Sequence, residues 1–108
     1  MRGELQVRLE LHDDAHNHHR FYELAVRGRA DLFSGPSVLV RYGRVGTRGH
    51  SLQLSFDTLD DAIREAASRL QRRSTAERRL GARYQLVSIS APEHLANFAE
   101  RTQKAFGS

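Results

Sequence analysis

The sequence predicts an α+β fold: a mainly antiparallel sheet of about five strands, one helix packed across it and an additional C-terminal helix. Two patterns support this class. Apolar and polar residues alternate in several short segments, as in strands with one buried face, and apolar residues recur at helical spacing in two later segments. Glycine-bearing turns favour antiparallel neighbours. At 108 residues the chain is expected to be a single domain over 1–108, with a core at about 5–89.

Four strands are predicted in the first half of the chain. The alternation is clearest at 5–11, where leucine and valine occupy every second position, and at 50–56, where Leu52, Leu54 and Phe56 share one face. The other expected elements of this half are, in order, a polar loop at 13–19, a strand at 20–26, a connection at 29–37, a strand at 38–45 and a hairpin turn at 46–49.

The second half is predicted to contain two amphipathic helices and a fifth strand. Thr58 and Asp61 have the spacing of a capping box, and an apolar stripe follows from Leu59 to Leu70. The arginines of this helix are expected on its opposite face: Arg64, Arg69, Arg72 and Arg73. The remaining expected elements are a polar linker at 74–82, a strand at 83–89, a capping signature at 90–93 and an amphipathic helix within 90–108 that packs on the domain or on a partner.

Positive charge is concentrated in the middle and second half of the chain, within a net charge of +4. Residues 1–19 hold two arginines against four acids, whereas 41–56 hold three arginines and no acid, and 60–83 hold seven arginines against four acids. Arginine suits bidentate phosphate contacts because its guanidinium is planar. The distribution favours a polyanionic partner, with a GC-rich codon bias as the alternative explanation.

The composition argues against enzymatic chemistry. There is no cysteine for a disulfide, a thiolate zinc site or a nucleophile. The glycines lack Walker spacing, a nucleophile elbow is absent, and the carboxylate pair at 60–61 is explained by a helix cap. We therefore expect no enzyme activity, no cofactor and no metal. Because no stretch approaches the roughly 18 apolar residues of a membrane span, we expect a cytoplasmic protein, with nucleoid association as one setting.

The stretch at 40–49 contains a candidate binding site. In a strand, Tyr42 and Arg44 project to the same face while Gly43 points away. The ring can stack on a base or sugar, the guanidinium can hold a phosphate, and glycine permits close approach of a ligand backbone. The alternative is a cross-strand aromatic residue beside a solvated arginine.

The same stretch resembles the signature of the WGR domain family, a Trp-Gly-Arg-Val-Gly-Thr-like run followed by Arg/Lys-Gly. Here it reads Tyr42-Gly43-Arg44-Val45-Gly46-Thr47-Arg48-Gly49. The segment 17–22 is similar to the family's Asn-x-x-Lys/Arg-Phe-Tyr run, and 56–62 resembles its Phe-x-Ser-x-Glu-Glu-Ala helix start. Tyr84 suits the aromatic residue that opens the last strand. The resemblance covers roughly residues 5–89.

The resemblance implies a mainly antiparallel sheet with a helix across it, and DNA binding. WGR domains occur in poly(ADP-ribose) polymerases, some bacterial DNA ligases and proteins resembling a molybdate metabolism regulator; in the polymerases they bind DNA beside a break and contact neighbouring domains. Tyr42 stands where the family usually has tryptophan, so we expect end recognition to be weaker or lost while phosphate binding persists. The expected DNA-binding residues are Tyr42, Gly43, Arg44, Arg41, Arg48 and Arg20.

Four histidines lie within eight residues of one another: His12, His16, His18 and His19. Imidazoles at this spacing can capture zinc or nickel adventitiously, but a structural zinc site wants four ligands in a closed shell. The alternative is that His18 and His19 add charge beside Arg20 and tighten phosphate contacts at low pH.

Two classes of function follow. The first is a stand-alone module that binds DNA ends, nicks or backbone. The second is a protein-interaction module that recruits a DNA-processing enzyme through an edge strand or the C-terminal helix. A histidine-rich, metal-responsive protein is a third interpretation with less support.

Overall fold

The computed structural model of the chain describes residues 4–28, 35–75 and 82–107. The strands are β1 (Leu5–Asp13), β2 (His18–Arg27), β3 (Ser37–Arg44), β4 (His50–Ser55) and β5 (Gln85–Ser90). The helices are α1 (Leu59–Thr75) and α2 (Ala96–Gly107), with short 3₁₀ turns at Asp14–His16 and Glu93–Leu95. The predicted α+β class and the order of its elements are confirmed.

The five strands form one antiparallel sheet in the order β4-β3-β2-β1-β5. Successive strands from β1 to β4 are neighbours, which is the arrangement that short turns produce. After α1, β5 returns to pair with β1 on the other side of the sheet. This pairing shifts between Arg8 and Leu9, so that Val87 is an extra residue in β5 and forms a bulge.

The alternation along the strands gives the sheet two faces. One face, called here the helix face, is covered by α1 and α2 and carries the buried aliphatic residues of the strands, from Leu5 to Leu11 in β1 and from Val38 to Val40 in β3. Ala62, Ala66 and Leu70 of α1 pack on it. Burying each large aliphatic side chain contributes roughly 1.5–3 kcal/mol. The other face, called the open face, is mainly polar.

The capping of α1 is confirmed at its first turn. The backbone N–H of Asp61 donates to Thr58 Oγ1 over 3.1 Å, and the N–H of Ala62 donates to the Thr58 carbonyl over 3.2 Å. The helix then runs to Thr75, past the expected start of the linker at residue 74. Arg64 lies on its solvent side, with 81% of its side chain exposed. Arg73 does not, because it is half-buried against the sheet.

The C-terminal helix packs on the domain itself. Leu95 is buried in the core, and Phe98 and Phe106 of α2 pack against it, so the core extends beyond residue 89. The capping signature expected at 90–93 is wrong: Ser90 is still in β5, and the following turn begins at Pro92 without a side-chain cap.

Two of the expected connections lie partly outside the described residues. These parts are 29–34 of the predicted connection and 76–81 of the predicted linker. Among the described residues, no helix is long and apolar enough to cross a membrane.

Candidate nucleic-acid interface

The strand β3 places Tyr42 and Arg44 on the helix face, as its alternation predicts. Tyr42 is directly opposite Tyr22 of β2, and Arg44 is directly opposite Arg20. Along β3, Tyr42 and Arg44 follow the buried residues Val38 and Val40 on this face. Tyr42 is 42% exposed even though its neighbour Tyr22 is buried. The sheet thus presents one accessible aromatic ring beside two guanidinium groups.

These residues line an open cavity of about 630 Å³, called here the basic pocket. Three arginines from different elements converge on it, namely Arg20 of β2, Arg44 of β3 and Arg73 near the end of α1. No acidic residue is among the described residues that line it. The full lining comprises His18, His19, Arg20, Phe21, Tyr42, Gly43, Arg44, His50, Arg73 and Tyr84.

Neighbouring side chains hold Tyr42 and Arg44 in place. The ring of Tyr42 lies against the imidazole of His50, its partner across the β3–β4 hairpin, with centroids 5.6 Å apart and planes at 38°. The guanidinium of Arg44 donates to the carbonyl and side-chain oxygens of Asn17 over 3.5 and 3.4 Å. Bonds of this length are weak, so Arg44 can exchange them for a phosphate at little cost. Asn17 itself has a positive φ of 55° in the turn between β1 and β2.

Arg73 is a pocket residue that sequence reasoning missed. Its guanidinium carbon lies 4.5 Å above the centroid of the Tyr22 ring. Its Nε is buried without a hydrogen-bond partner, as is the Nδ1 atom of His18. A buried unsatisfied donor costs about 1–3 kcal/mol. The sequence signal that could have identified it is its spacing: Arg73 follows Leu70 by three residues and so lies beside the apolar stripe of the helix.

His50 was also missed as a pocket residue. The strict alternation of β4 puts Leu52 and Leu54 towards the helix face, and His50 is in phase with them. The hairpin register then sets it opposite Tyr42. This register depends on the turn geometry, which the sequence pattern alone did not fix.

Arg41 lies on the opposite side of the sheet from Tyr42 and Arg44. Its guanidinium carbon is 4.7 Å from the centroid of the buried Phe21 ring, and its Nε donates to Glu23 over 2.9 Å. Arg8 covers the same ring at 4.9 Å and pairs with Glu10 and Glu23. Burial lowers the pKa of Arg8, but its hydrogen bonds to Glu10 and Glu23 outweigh this and raise it. Arg41 is therefore engaged in an ion-pair network around Phe21.

The open face contains a larger concavity, of about 720 Å³, but its charges are paired. Arg27 donates to Glu4 over 3.0 Å, which lowers the pKa of that carboxyl, while Arg8 and Arg41 share Glu23. The described residues that line the basic pocket include no carboxylate. Electrostatics therefore favours the basic pocket as the site for a polyanion.

The glycines of the β3–β4 hairpin are required by its backbone geometry. A Cβ on Gly43 would come within 2.8 Å of the Gly49 Cα atom, so this glycine allows the hairpin's own backbone to approach. Gly46 and Gly49 have positive φ angles of 91° and 73°. Arg48 lies exposed in the same turn, and its carbonyl accepts a hydrogen bond from Arg41 Nη1 over 2.8 Å. Its side chain is not part of the basic pocket lining.

The clustered histidines at 12–19 contact one another and nearby carboxylates. The Nδ1 atoms of His12 and His19 are 2.8 Å apart on the open face, and His12 Nε2 lies 2.8 Å from Glu10. His16 bonds to Asp13 over 2.7 Å, which lowers the pKa of that carboxyl. In the part of the chain that the structure describes, no three ligating side chains converge as a metal site would require.

A comparison with protein families supports the resemblance of the motif. The family model of the WGR domain matches residues 5–79, which is most of the chain. The chain belongs to the WGR domain family. WGR domains are nucleic-acid-binding modules rather than catalytic domains. No curated protein and no solved structure matched the chain.

The family match covers most of the basic pocket of this WGR domain. The motif at 42–44, the segment at 17–22 and the helix α1 with Arg73 all fall within residues 5–79. Tyr84 lies beyond the match, although it lines the pocket and is buried. The C-terminal helix α2 also lies beyond it.

Proposed function

We propose that this WGR domain binds DNA in the basic pocket. Arg20, Arg44 and Arg73 contact phosphates, and Tyr42 stacks on a base or sugar at an end or nick. The observation that carries the proposal is the convergence of three arginines on one exposed aromatic ring, with no acid among the described lining residues. Phosphate contacts supply most of the affinity in such complexes, and a neutral or basic ligand would not use this positive charge.

The position of Arg73 supports an anionic ligand. Its guanidinium lies over the Tyr22 ring, and the residue lines the basic pocket. A phosphate oxygen is an acceptor that matches both the charge and the fork geometry of arginine. Three neutralised phosphates predict a slope of about −2.7 in log K against log salt on duplex DNA.

Tyr42 determines how strongly ends are preferred. Stacking on an aromatic residue contributes about 1–3 kcal/mol per base, and a tyrosine ring offers less area than the tryptophan of the family motif. We therefore expect salt-dependent binding to all duplexes with a modest preference for open or nicked ones.

The test is fluorescence anisotropy with labelled blunt, nicked and closed-hairpin duplexes at about 50 and 200 mM salt. Arg44→Ala should weaken binding at least about tenfold, because a charge-assisted hydrogen bond contributes 1.5–3 kcal/mol. It should also reduce the salt slope by about 0.9. Arg64→Ala is the matched control: it removes the same charge from a side chain that is 81% exposed on α1.

Two results would contradict the proposal. One is the absence of binding to any duplex at the lower salt concentration, which would make the protein-interaction module the better interpretation. The other is an equal loss of affinity in Arg44→Ala and Arg64→Ala, which would indicate general electrostatic attraction without a defined pocket.

A further inference from the structure

The two outer strands of the sheet, β4 and β5, differ in how their free edges are protected. β5 contains the bulge at Val87, and α2 packs against it. Both features are typical ways of blocking an edge. β4 pairs with β3 without a register shift, and the segment 50–56 contains no proline and no Asp, Glu, Lys or Arg. No strand of the described residues pairs with the outer side of β4, which is therefore a regular edge with free hydrogen-bonding capacity and without Asp, Glu, Lys or Arg.

The phase of the β3–β4 ladder determines which backbone groups face outward. The N–H of Phe56 donates to the Pro36 carbonyl over 2.9 Å, in step with the register of the ladder. Hydrogen-bonded positions alternate along an antiparallel strand, so Leu52 and Leu54 direct their N–H and C=O groups to β3. The backbone groups of Ser51, Gln53 and Ser55 therefore point away from the sheet.

The order of residue types in β4 is symmetric about Gln53. The segment is Ser51-Leu52-Gln53-Leu54-Ser55. If a second copy pairs antiparallel with Gln53 opposite the partner's Gln53, then Leu52 meets the partner's Leu54 and Ser51 meets the partner's Ser55. This register also sets the outward backbone groups of the two strands opposite each other, as hydrogen-bonded pairs. Side-chain order and backbone phase thus select the same alignment.

We propose that the β4 edge is a homodimer interface in which two copies pair antiparallel about a twofold axis at Gln53. The five-stranded sheet then continues into that of the partner. On the helix face the leucines of the two strands form one apolar cluster, which covers Leu52, a residue that is 40% exposed in the single chain. On the open face each serine lies opposite a serine and Gln53 lies opposite the partner's Gln53, so no like charges oppose each other.

The proposed dimer sets two basic pockets on the same side of one continuous sheet. A short strand pair buries less surface than the 1,200–2,000 Å² of stable complexes, so the dimer should be weak and concentration-dependent. This inference does not require that the basic pocket binds DNA, because the interface and the pocket use different residues.

The sharpest test uses the fact that the chain has no cysteine. In Gln53→Cys the two thiols sit across the axis, where the Cα atoms of a hydrogen-bonded pair are about 5.5 Å apart, within disulfide range. Ser51→Cys is the matched control, because its Cα lies about 14 Å from that of the partner's equivalent residue in this register. We expect mild oxidation to cross-link Gln53→Cys and to leave Ser51→Cys monomeric on a non-reducing gel.

A second test leaves the chain without a thiol. In sedimentation velocity up to about 100 µM, the unmodified protein should show a concentration-dependent dimer. Gln53→Lys should abolish it by opposing two positive charges on the axis, whereas Gln85→Lys on the β5 edge should not. The proposal is overturned if the unmodified protein stays monomeric and Gln53→Cys does not cross-link. It is also overturned if Ser51→Cys cross-links as readily or if only Gln85→Lys disrupts the dimer.

Discussion

Phe21 and Tyr22 are neighbours in the chain, lie on opposite faces of the sheet, and each has a guanidinium group against its ring. On the open face Phe21 is covered by Arg8 and Arg41, whose charges are paired with glutamates. On the helix face Tyr22 is covered by Arg73, whose Nε has no partner. Similar stacking geometry therefore occurs in two different electrostatic environments. We expect the open-face arginines, which are paired with carboxylates, to stabilise the fold, and Arg73 to contribute to anion binding in the basic pocket.

Exchanging Arg41 or Arg44 for alanine should separate these roles. Arg41→Ala should lower the free energy of unfolding by about 1–2 kcal/mol, because it removes a cation–π contact and a partly exposed ion pair. Arg44→Ala should leave stability nearly unchanged, since its bonds to Asn17 are long. Urea denaturation measures the first effect and DNA titration the second. A loss of DNA affinity in Arg41→Ala as large as in Arg44→Ala would show that the open face takes part in binding.

Gly49→Ala should destabilise the hairpin strongly. Gly49 has a φ of 73°, and a Cβ there would press on the Tyr42 carbonyl oxygen and lie 2.9 Å from the Phe21 Cζ atom. We expect a loss of more than about 2 kcal/mol in thermal or urea unfolding.

Gly46→Ala is the control for this hairpin prediction. Its φ is 91°, but a Cβ there meets nothing within 4 Å. It should therefore lose only the backbone contribution of about 1–2 kcal/mol. Equal losses at the two glycines would mean that the contacts of Gly49 are unimportant.

Among the elements, α1 depends on its first turn. Thr58→Ala removes the side-chain acceptor for the Asp61 N–H and should cost about 1 kcal/mol. Thr58→Ser keeps an acceptor and should restore most of the loss in urea denaturation. If alanine and serine behave alike, the hydroxyl does not cap the helix.

The secondary structure could be predicted from the sequence because alternation and capping are local signals. The strands from β1 to β4 and the start of α1 lie within two residues of their expected bounds. The set of residues that line the basic pocket could not be predicted from the sequence, because it depends on contacts between elements. Arg73 reaches the pocket only because α1 continues to Thr75 and lies over Tyr22. Arg41 was assigned to the same site as Arg44, yet alternation alone puts residues three apart in a strand on opposite faces.

At the scale of the whole molecule, several hydrogen-bonded carboxylates make the stability of the sheet sensitive to acid. The hydrogen bond from His12, and then that from Arg8, lowers the pKa of Glu10 below 4.5, and Arg27 lowers that of Glu4. A lowered folded-state pKa stabilises the protein above the unfolded-state pKa, and this contribution is lost as the pH falls through the folded-state value. Stability should therefore decrease progressively below about pH 4.5.

Glu10→Gln tests this acid sensitivity. The variant should be less stable than the unmodified chain at pH 7, and its free energy of unfolding should fall less steeply below about pH 4.5, so that the two curves approach each other as the pH falls through the lowered pKa of Glu10. Urea denaturation at a series of pH values measures both curves. Parallel curves over this range would show that Glu10 does not contribute.

The free edge of β4 also has a consequence for solvent exchange of backbone amides. In the isolated chain, the amides of Leu52 and Leu54 are bonded within the sheet, whereas those of Ser51, Gln53 and Ser55 point away from it, where no strand of the described residues lies. Deuterium uptake along this strand should therefore alternate between slow and fast at successive residues. As protein concentration rises, the fast positions should slow and the alternation should fade. Residue-resolved NMR exchange would thus report the association of two chains through the amides of three residues.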